Sequence, residues 1–196
     1  MNPDKFAASS VVDMVVLGQL LEEYRPRLLA MVRRRLDPAL ASRVDAEEIV
    51  NDGFFLAQRK WPRFKEQNAL SPYAWLYGIV RDCLIETWRR ETRGLRDARK
   101  NQPWPQESSE QLGLGLVAAG TSPSEAIVRD ELRQCMQQAL NRLKDGDREI
   151  LWMRHYDQLA FPEAAQVLGI TENAATVRYV RALRRLKDLW RRLYRD

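Results

Sequence analysis

Residues 160–171 read AFPEAAQVLGIT, a pattern that predicts a short helix, a tight turn and the cap of a second helix. Pro162 suits the first turn of a helix, where its missing amide hydrogen costs nothing. Gly169 can adopt the left-handed conformation that ends a helix in a tight turn. Thr171 is a good N-cap, and Glu172 then lies at the favourable end of the next helix dipole. The stretch therefore predicts a helix-turn-helix unit, whose second helix typically enters the major groove of DNA.

The net positive charge of the chain is concentrated in the helix that follows this turn. The 196 residues contain 32 Lys and Arg against 27 Asp and Glu, a net charge of +5. From Arg178 onward there are eight basic and two acidic residues, so this segment alone carries +6. An ordinary helical hairpin is the alternative, but arginines that recur every three or four residues favour DNA binding. Thr176 and Arg181 are expected to reach the groove, and Arg184, Arg185 and Lys187 to contact phosphates.

Helical periodicity dominates the rest of the chain, and no strong alternating pattern predicts a strand. Stop signals separate the apolar runs at Asp37-Pro38, Trp61-Pro62, Ser71-Pro72, 144–146 and Leu168-Gly169. Between Lys100 and Thr121, Pro, Gly, Ser and Gln accumulate, which predicts a flexible linker. We therefore expect an all-α protein of two small helical domains: a tail over 1–17, a domain over 18–97, a linker over 98–122 and a domain over 123–196.

An acidic segment marks the N-terminal domain. Over residues 45–56, acidic and apolar side chains alternate at helical spacing, and Asp45 is a plausible N-cap. In a protein that meets DNA, an acidic helix face indicates a separate, basic protein partner, and simple surface solubility is the alternative. A metal or acid–base site is a weak third possibility, because no histidine or glycine-rich phosphate loop lies nearby.

Aromatic and basic residues are interleaved over residues 72–90. Aromatic side chains stand at positions 73, 75, 77 and 88, and arginines at 81, 89 and 90. This mixture is typical of proteins that hold unstacked, single-stranded bases. The alternative is that Trp75 and Trp88 belong to the core, and for Trp75 we favour the core.

Composition excludes several function classes. Cys83 and Cys135 are too few for a disulfide framework or a zinc ribbon, and His155 is the only histidine. We find no catalytic constellation, and we expect no metal and no cofactor. No apolar run reaches the length of a membrane span, and the Val-rich stretch over 11–17 lacks the features of a signal peptide. That stretch is better explained as an extension of the first helix, and the protein is expected to be cytoplasmic.

The order of these segments resembles a known family. An acidic AEEIVNDGF helix, a WLYGIVRD segment with a basic end, a linker and a helix-turn-helix follow one another. The chain is similar to sigma factors of bacterial RNA polymerase, in particular to the extracytoplasmic-function (ECF) group. That resemblance implies a region 2 helical bundle over 18–97 and a region 4 helix-turn-helix over 123–196. It also implies three partners: core RNA polymerase, promoter DNA and an anti-sigma factor.

The resemblance also implies roles for individual residues. The contact with the clamp helices of the polymerase largest subunit would involve Glu47, Glu48, Asn51, Asp52 and Phe54. Recognition and melting of the −10 element would involve Tyr77, Arg81, Asp82, Glu86, Arg89 and Arg90. Recognition of the −35 element would involve Arg154, Thr176, Val177, Arg178, Val180, Arg181, Arg184 and Arg185.

Two points remain open at this stage. Asp82 stands where many relatives have Asn, and it offers acceptors but no amide donor, which leaves the −10 base preference open. The alternative function is a two-domain helix-turn-helix regulator that does not bind polymerase. In such a regulator, Asp52→Arg would leave transcription unchanged.

Overall fold

The computed structural model describes residues 3–36, 40, 43–66, 71–91 and 135–195. Six helices have defined bounds: α1 (Pro3–Arg35), α2 (Ala46–Glu66), α3 (Pro72–Glu91), α4 (Asp145–His155), α5 (Phe161–Leu168) and α6 (Glu172–Arg195). A further helical segment covers 135–141, and the described residues include no strand. The all-α prediction is confirmed. The predicted linker over 98–122 lies outside the described residues.

Helices α1, α2 and α3 form a bundle around an apolar core. The buried side chains of α2 recur every three or four residues, so that one face of the helix points inward. Asp45 caps this helix, because its Oδ1 accepts a hydrogen bond from the amide of Glu47 at 2.9 Å. Gly53 allows α2 to approach α3 closely, since a Cβ atom there would lie 2.6 Å from Val80 Cγ2.

The stop expected at Trp61-Pro62 is wrong. Helix α2 continues through Pro62 to Glu66. Trp61 and Phe64 are both buried, and their rings stack with centroids 5.5 Å apart. Burial of two aromatic side chains outweighs the backbone hydrogen bond that Pro62 cannot donate. The other stop signals that fall on described residues agree with the ends or starts of helices.

Helix α1 begins well before the first of its residues that is buried in the core. Helix α1 begins at Pro3 and is continuous to Arg35, so the Val-rich stretch is helical, as predicted. From Leu17 onward its apolar side chains are buried in the core of the bundle. By contrast, Met14, Val15 and Val16 are all more than two-fifths exposed. The core of the first domain therefore begins at about Leu17.

Helices α4, α5 and α6 form the second helical domain, and their buried apolar side chains belong to the same hydrophobic cluster as those of α1, α2 and α3. Trp152 is fully buried in α4, and small residues such as Ala164 and Ala175 let α5 and α6 approach closely. Gly169 has φ 63° and ends α5 in a left-handed turn. The hydroxyl of Thr171 accepts a hydrogen bond from the amide of Ala174 at 3.2 Å and caps α6. The predicted helix-turn-helix is therefore present.

The two helical domains pack against each other. Helix α5 lies against α3, where Ser71 Oγ donates a hydrogen bond to Glu163 Oε1 at 2.8 Å. Gln166 and Ser71 exchange two further hydrogen bonds, each 3.2 Å long. The turn that follows α4 reaches the C-terminal end of α1, where Arg34 and Asp157 form an ion pair at 3.2 Å.

Candidate nucleic-acid interface

The exposed face of α6 presents the side chains predicted to contact the −35 element. Val177 and Val180 are 38% and 40% exposed, and Arg181 and Arg184 are also exposed. Thr176 is half-buried, and its hydroxyl donates to the carbonyl of Glu172 at 3.0 Å. This face combines apolar side chains with guanidinium groups, the two contact types that read bases and phosphates in the major groove.

Two arginines of the same predicted set are held by other residues of the domain, and a third is half-buried. Arg154 donates to the carbonyl of Leu159 and lies over the ring of Phe161, 4.3 Å from its centroid. Arg185 is about half exposed and donates to Asp147 Oδ2, and Arg178 is half-buried. The structure therefore places Arg181 and Arg184 in the most open positions and Arg154 at the base of the helix-turn-helix.

The single histidine supports the position of α6. His155 Nε2 lies 3.2 Å from the hydroxyl of Tyr179, and the two ring centroids are 5.8 Å apart. Burial, together with the positive charge of Arg154, lowers the pKa of His155. The residue is therefore neutral near pH 7 and packs on α6 as an uncharged ring.

The acidic face of α2 is open to solvent. Glu48 and Asp52 are exposed, while Glu47 forms ion pairs with Arg25 at 3.6 Å and with Arg33 at 3.4 Å. Asn51 Oδ1 accepts a hydrogen bond from Arg25 at 3.0 Å. Two of the four polar residues in the predicted polymerase contact set are therefore engaged with α1, and the two exposed carboxylates remain available.

The apolar member of that predicted set is placed in the core. Phe54 is 7% exposed, whereas its neighbour Phe55 is 66% exposed. Phe54 follows the inward periodicity of Val50 and Ala57, and Phe55 is one step of about 100° further around the helix. Sequence analysis did not single out Phe55, because which of the two phenylalanines is buried depends on the face of α2 that packs against α1 and α3.

Helix α3 carries the residues predicted for the −10 element on two different faces. Asp82, Glu86, Arg89 and Arg90 are exposed. Arg81 pairs with Asp82 at 3.2 Å and faces α4, where its Nε lies 3.3 Å from Glu149 Oε1. Tyr77 is fully buried. The structure thus brings four of the six residues together on an open surface and puts the other two at the contact with the second domain.

A buried charge cluster lies at that contact, formed by Arg35, Tyr77, Arg81, Glu149 and Asp157. Arg35 Nη2 donates to Asp157 Oδ2 at 2.6 Å and to the hydroxyl of Tyr77, also at 2.6 Å. The Tyr77 hydroxyl in turn donates to Asp157 Oδ2 at 2.8 Å. Burial raises the pKa of Tyr77 well above its usual value, so its hydroxyl stays protonated and can donate.

Glu149 is the second carboxylate of the buried charge cluster. Its Oε1 lies 3.3 Å from Arg81 Nε and 3.8 Å from Arg35 Nη2. Burial raises the pKa of Glu149, although the guanidinium groups of Arg35 and Arg81 act in the opposite direction. Removal of this carboxylate from water is therefore only partly compensated by its ion pairs.

The aromatic residues of α3 serve mainly the core. Trp75 stacks on Phe64 with centroids 4.2 Å apart, and Trp61 lies 5.8 Å away. Trp88 is buried. Trp75 is half-buried and packs against the core through these rings, in agreement with its interpretation as a core residue.

Neither cysteine has the environment of a reactive thiol. Cys83 is buried, and burial raises its pKa to about 11. Cys135 is half-buried, with its Sγ 3.8 Å from the carbonyl of Leu193. Within the described ranges, no group of three His, Cys, Asp or Glu side chains is placed to hold a metal ion. No helix in the described part of the chain is long and apolar enough to cross a membrane.

Two helical domains, one with an exposed acidic face and one with a helix-turn-helix and an arginine-rich helix, define a class of DNA-binding transcription factor. The model of sigma-70 region 2 matches residues 20–94, and that of sigma-70 region 4 matches residues 133–186. The chain belongs to the sigma-70 family, in its ECF group.

Relatives over nearly the whole chain carry names of the same group. The chain is 26% identical over 187 residues to the ECF RNA polymerase sigma factor SigD of Mycobacterium tuberculosis, covering 94% of this chain and 82% of that protein. It is 25% identical over 185 residues to the ECF RNA polymerase sigma factor SigW of Bacillus subtilis, with coverage of 90% and 92%. The solved structure of CnrH with the cytosolic domain of CnrY matches with a TM-score of 0.52 at 20% identity, covering 93% and 92%, which supports the fold.

Proposed function

We propose that this chain binds core RNA polymerase through α2 and directs it to promoters through α3 and α6. The observation that carries the proposal is the separation of surfaces within one chain: exposed carboxylates on α2 and exposed arginines on α3 and α6. An acidic face is repelled by DNA, so it serves a protein partner, whereas the arginine faces attract phosphates. A sigma factor needs both kinds of surface, and a catalytic role is not part of this proposal.

For the polymerase contact, we propose Glu48 and Asp52 with the exposed ring of Phe55. Phe55 borders a groove between α2 and α3 whose lining also includes Asp52 and Arg90. An exposed aromatic residue that is flanked by charges is typical of an interface anchor, because its burial on binding provides affinity while the charges orient the partner. The basic partner implied by the family is the pair of clamp helices of the polymerase largest subunit.

For the −10 element, we propose Asp82, Glu86, Arg89 and Arg90, which share the open surface of α3. Arginines there would hold the backbone, while carboxylates accept hydrogen bonds from the exocyclic amines of flipped bases. Unstacking a base costs a few kcal/mol, so melting requires that such pockets return a comparable amount. Tyr77 and Arg81 belong to the same proposed surface once the second domain moves away.

For the −35 element, we propose α6, with Thr176, Val177, Val180 and Arg181 toward the groove and Arg184 toward phosphates. The two valines are more apolar than a typical base reader, and methyl groups of this kind recognise the thymine methyl group. Arg154, Arg178 and Arg185 are proposed as supporting phosphate contacts that need small side-chain movements.

The chain is proposed to act in the cytoplasm, where polymerase and chromosome are. An anti-sigma factor that restrains it remains a prediction of the family resemblance.

The test is transcription by purified core polymerase on genomic DNA, with start sites mapped across the genome, with and without the chain. We expect new start sites that share two sequence elements at a fixed spacing. Asp52→Arg is expected to lower this transcription at least about tenfold, since it places a positive charge against a basic partner. Glu66→Arg is the matched control, because Glu66 is exposed near the other end of α2. If Asp52→Arg leaves start sites unchanged, the polymerase contact is wrong, and the regulator that does not bind polymerase becomes the better explanation.

A further inference from the structure

A ridge of exposed side chains on α6 lies directly opposite the buried side of the helix. Ala175, Ala182 and Leu186 are buried and define the inward side. Successive residues of a helix are rotated by about 100°, so the outermost positions are those half a turn away from these three. The exposed residues at those positions are Asn173, Val177, Val180 and Arg184.

Asn173 is the uncharged polar residue of this ridge, and its side chain has no partner within the described part of the chain. Thr171 already caps α6, because its hydroxyl accepts a hydrogen bond from the amide of Ala174 at 3.2 Å. The hydroxyl of Thr176 is used as well, since it donates to the carbonyl of Glu172 at 3.0 Å. The carboxamide of Asn173 therefore keeps its donors and its acceptor for a molecule outside the chain.

The place of Asn173 in α6 suits contact with bases. It is the second residue of the helix, and the N-terminal residues of a recognition helix are those that reach base edges. Val177 follows one turn later, about 6 Å further along the axis, which is the span of about two base pairs. Asn173 and the valines can therefore contact neighbouring base pairs at the same time.

A carboxamide and methyl groups match the two bases of an A·T pair. Asparagine forms two hydrogen bonds with adenine, because its oxygen accepts from the N6 amine and its nitrogen donates to N7. In the major groove, guanine offers two acceptors and cytosine a donor, so neither base pairs with both ends of the carboxamide. The methyl groups of Val177 and Val180, which are 38% and 40% exposed, match the C5-methyl group of thymine.

We propose that Asn173 reads an adenine of the −35 element and that Val177 and Val180 pack on the thymine methyl groups beside it. The ridge of α6 then selects an A·T step, and Arg184 at its far end contacts a phosphate. This inference rests on the proposed function of α6 and adds to it the residue and the base that set specificity.

The first experiment selects duplex DNA from a random pool, with the full chain alone and with the chain bound to core polymerase. The selected duplexes are expected to share an A·T step. Asn173→Ala should lower the preference for its adenine about tenfold, whereas Asn173→Gln should retain part of it. Alanine favours a helix more than asparagine does, so loss of folding cannot produce this result. Gln58→Ala is the matched control, because it removes an exposed amide from α2 and should leave the selected sequence unchanged.

The second experiment changes single groups of the selected duplex and measures binding of the full chain. 7-Deazaadenine lacks the N7 acceptor and should weaken binding about fivefold, but it should not affect Asn173→Ala. Uracil lacks the methyl group of thymine and should weaken binding about fourfold. The double variant Val177→Ala, Val180→Ala should lose this sensitivity to uracil. Equal binding of modified and unmodified duplexes overturns the proposal.

The outcomes separate this inference from the proposed function. If polymerase gains new start sites but the adenine preference persists in Asn173→Ala, the proposed function stands and the role of Asn173 is wrong. If an A·T step is selected through Asn173 but no start site appears, α6 reads DNA as proposed and the polymerase function is wrong. If neither form of the chain selects a duplex, both are wrong, and the exposed valines are better explained as a protein contact.

Discussion

Gly169 determines where α5 ends and how α6 leaves the turn. Its φ of 63° is open to glycine and costs other residues about 1–2 kcal/mol. In the same turn, the amide of Ile170 donates to the carbonyl of Ala165 at 3.0 Å, which satisfies the end of α5. The angle between α5 and α6, and therefore the orientation of α6, depends on Gly169.

At the residue scale, we predict that Gly169→Ala lowers the free energy of unfolding by about 1–2 kcal/mol. No side-chain collision contributes, since a Cβ atom there would meet nothing within 4 Å. Urea titration followed by hydrogen exchange of α5 and α6 amides would measure the loss. Gly18→Ala serves as control, because Gly18 has equal space in the interior of α1. Equal stability of the two variants would contradict the role given to the turn.

Residues of this kind were predictable from sequence because their cause is local. The proline, glycine and threonine of the turn each act on their own backbone, and the sequence predicted all three. The sequence alone did not distinguish the buried Phe54 from the exposed Phe55. Their burial depends on which face of α2 packs against α1 and α3. Phe54 therefore lies in the core, and the proposed polymerase contact uses the exposed ring of Phe55 in its place.

At the scale of elements, the approach of α2 to α3 depends on the missing side chain at position 53. A Cβ atom at this position would lie 2.6 Å from Val80 Cγ2 and 3.3 Å from Val80 Cα, and Val80 is fully buried. The backbone of α3 cannot give way cheaply, so the two helices must separate or strain. The proposed polymerase and −10 surfaces lie on these two helices, and their relative position follows from this contact.

We therefore predict opposite effects from two Gly→Ala changes in neighbouring helices. Gly53→Ala should lower the free energy of unfolding by about 1 kcal/mol, because overpacking exceeds the gain in helix propensity. Gly78→Ala, where a Cβ atom meets nothing within 4 Å, should raise it by about 0.5–1 kcal/mol. Thermal and urea unfolding would measure both. Stabilisation by Gly53→Ala would show that α2 and α3 can accommodate a methyl group at this position.

Elements were predicted well where periodicity and caps agreed, and less well where tertiary packing decided. The continuation of α2 through Pro62 depends on Trp61 and Phe64 reaching Trp75 on another helix. A rule about proline alone cannot include that contact, because Trp75 lies on another helix. The prediction therefore lacked the stabilisation that the stacked aromatic cluster provides.

At the scale of the whole molecule, the buried charge cluster makes the domain arrangement sensitive to pH. Glu149 faces Arg35 from α1 and Arg81 from α3, with Asp157 and Arg148 from its own domain. Burial against the first domain raises the pKa of Glu149, and separation of the two domains would return it to about 4.3. The packed domains then bind more protons than the separated ones, so a fall in pH favours packing.

We predict that the fraction of chain with packed domains rises as the pH falls from neutrality toward about 4.3, the ordinary pKa of a glutamate. The distance between spin labels at Gln58→Cys and Lys187→Cys, with Cys83 and Cys135 replaced by alanine, would report it. Glu149→Gln should remove this dependence, because the neutral amide mimics the protonated acid at every pH. A fraction of packed domains that falls over this pH range, or an unchanged pH dependence in Glu149→Gln, would contradict the prediction.

The contact between domains was beyond sequence analysis. Glu149 and Asp157 read as ordinary surface charges of a helix and a turn, and Tyr77 and Arg81 as DNA contacts. Their meeting joins positions 42 to 122 residues apart, for which no local pattern exists. The sequence thus predicted two domains and a candidate surface on each. It did not predict that the second domain covers part of the surface of the first.

The position of Asp157 also has an evolutionary consequence. Its carboxylate contacts the first domain and lies away from Val177, Val180 and Arg181 of α6. Effects of substitutions at sites that share no partners are close to additive. Drift at position 157 therefore changes how firmly the two domains pack while leaving the exposed face of α6 unchanged. Duplicated copies of such a gene can diverge in domain packing before they diverge in the proposed DNA-reading surface.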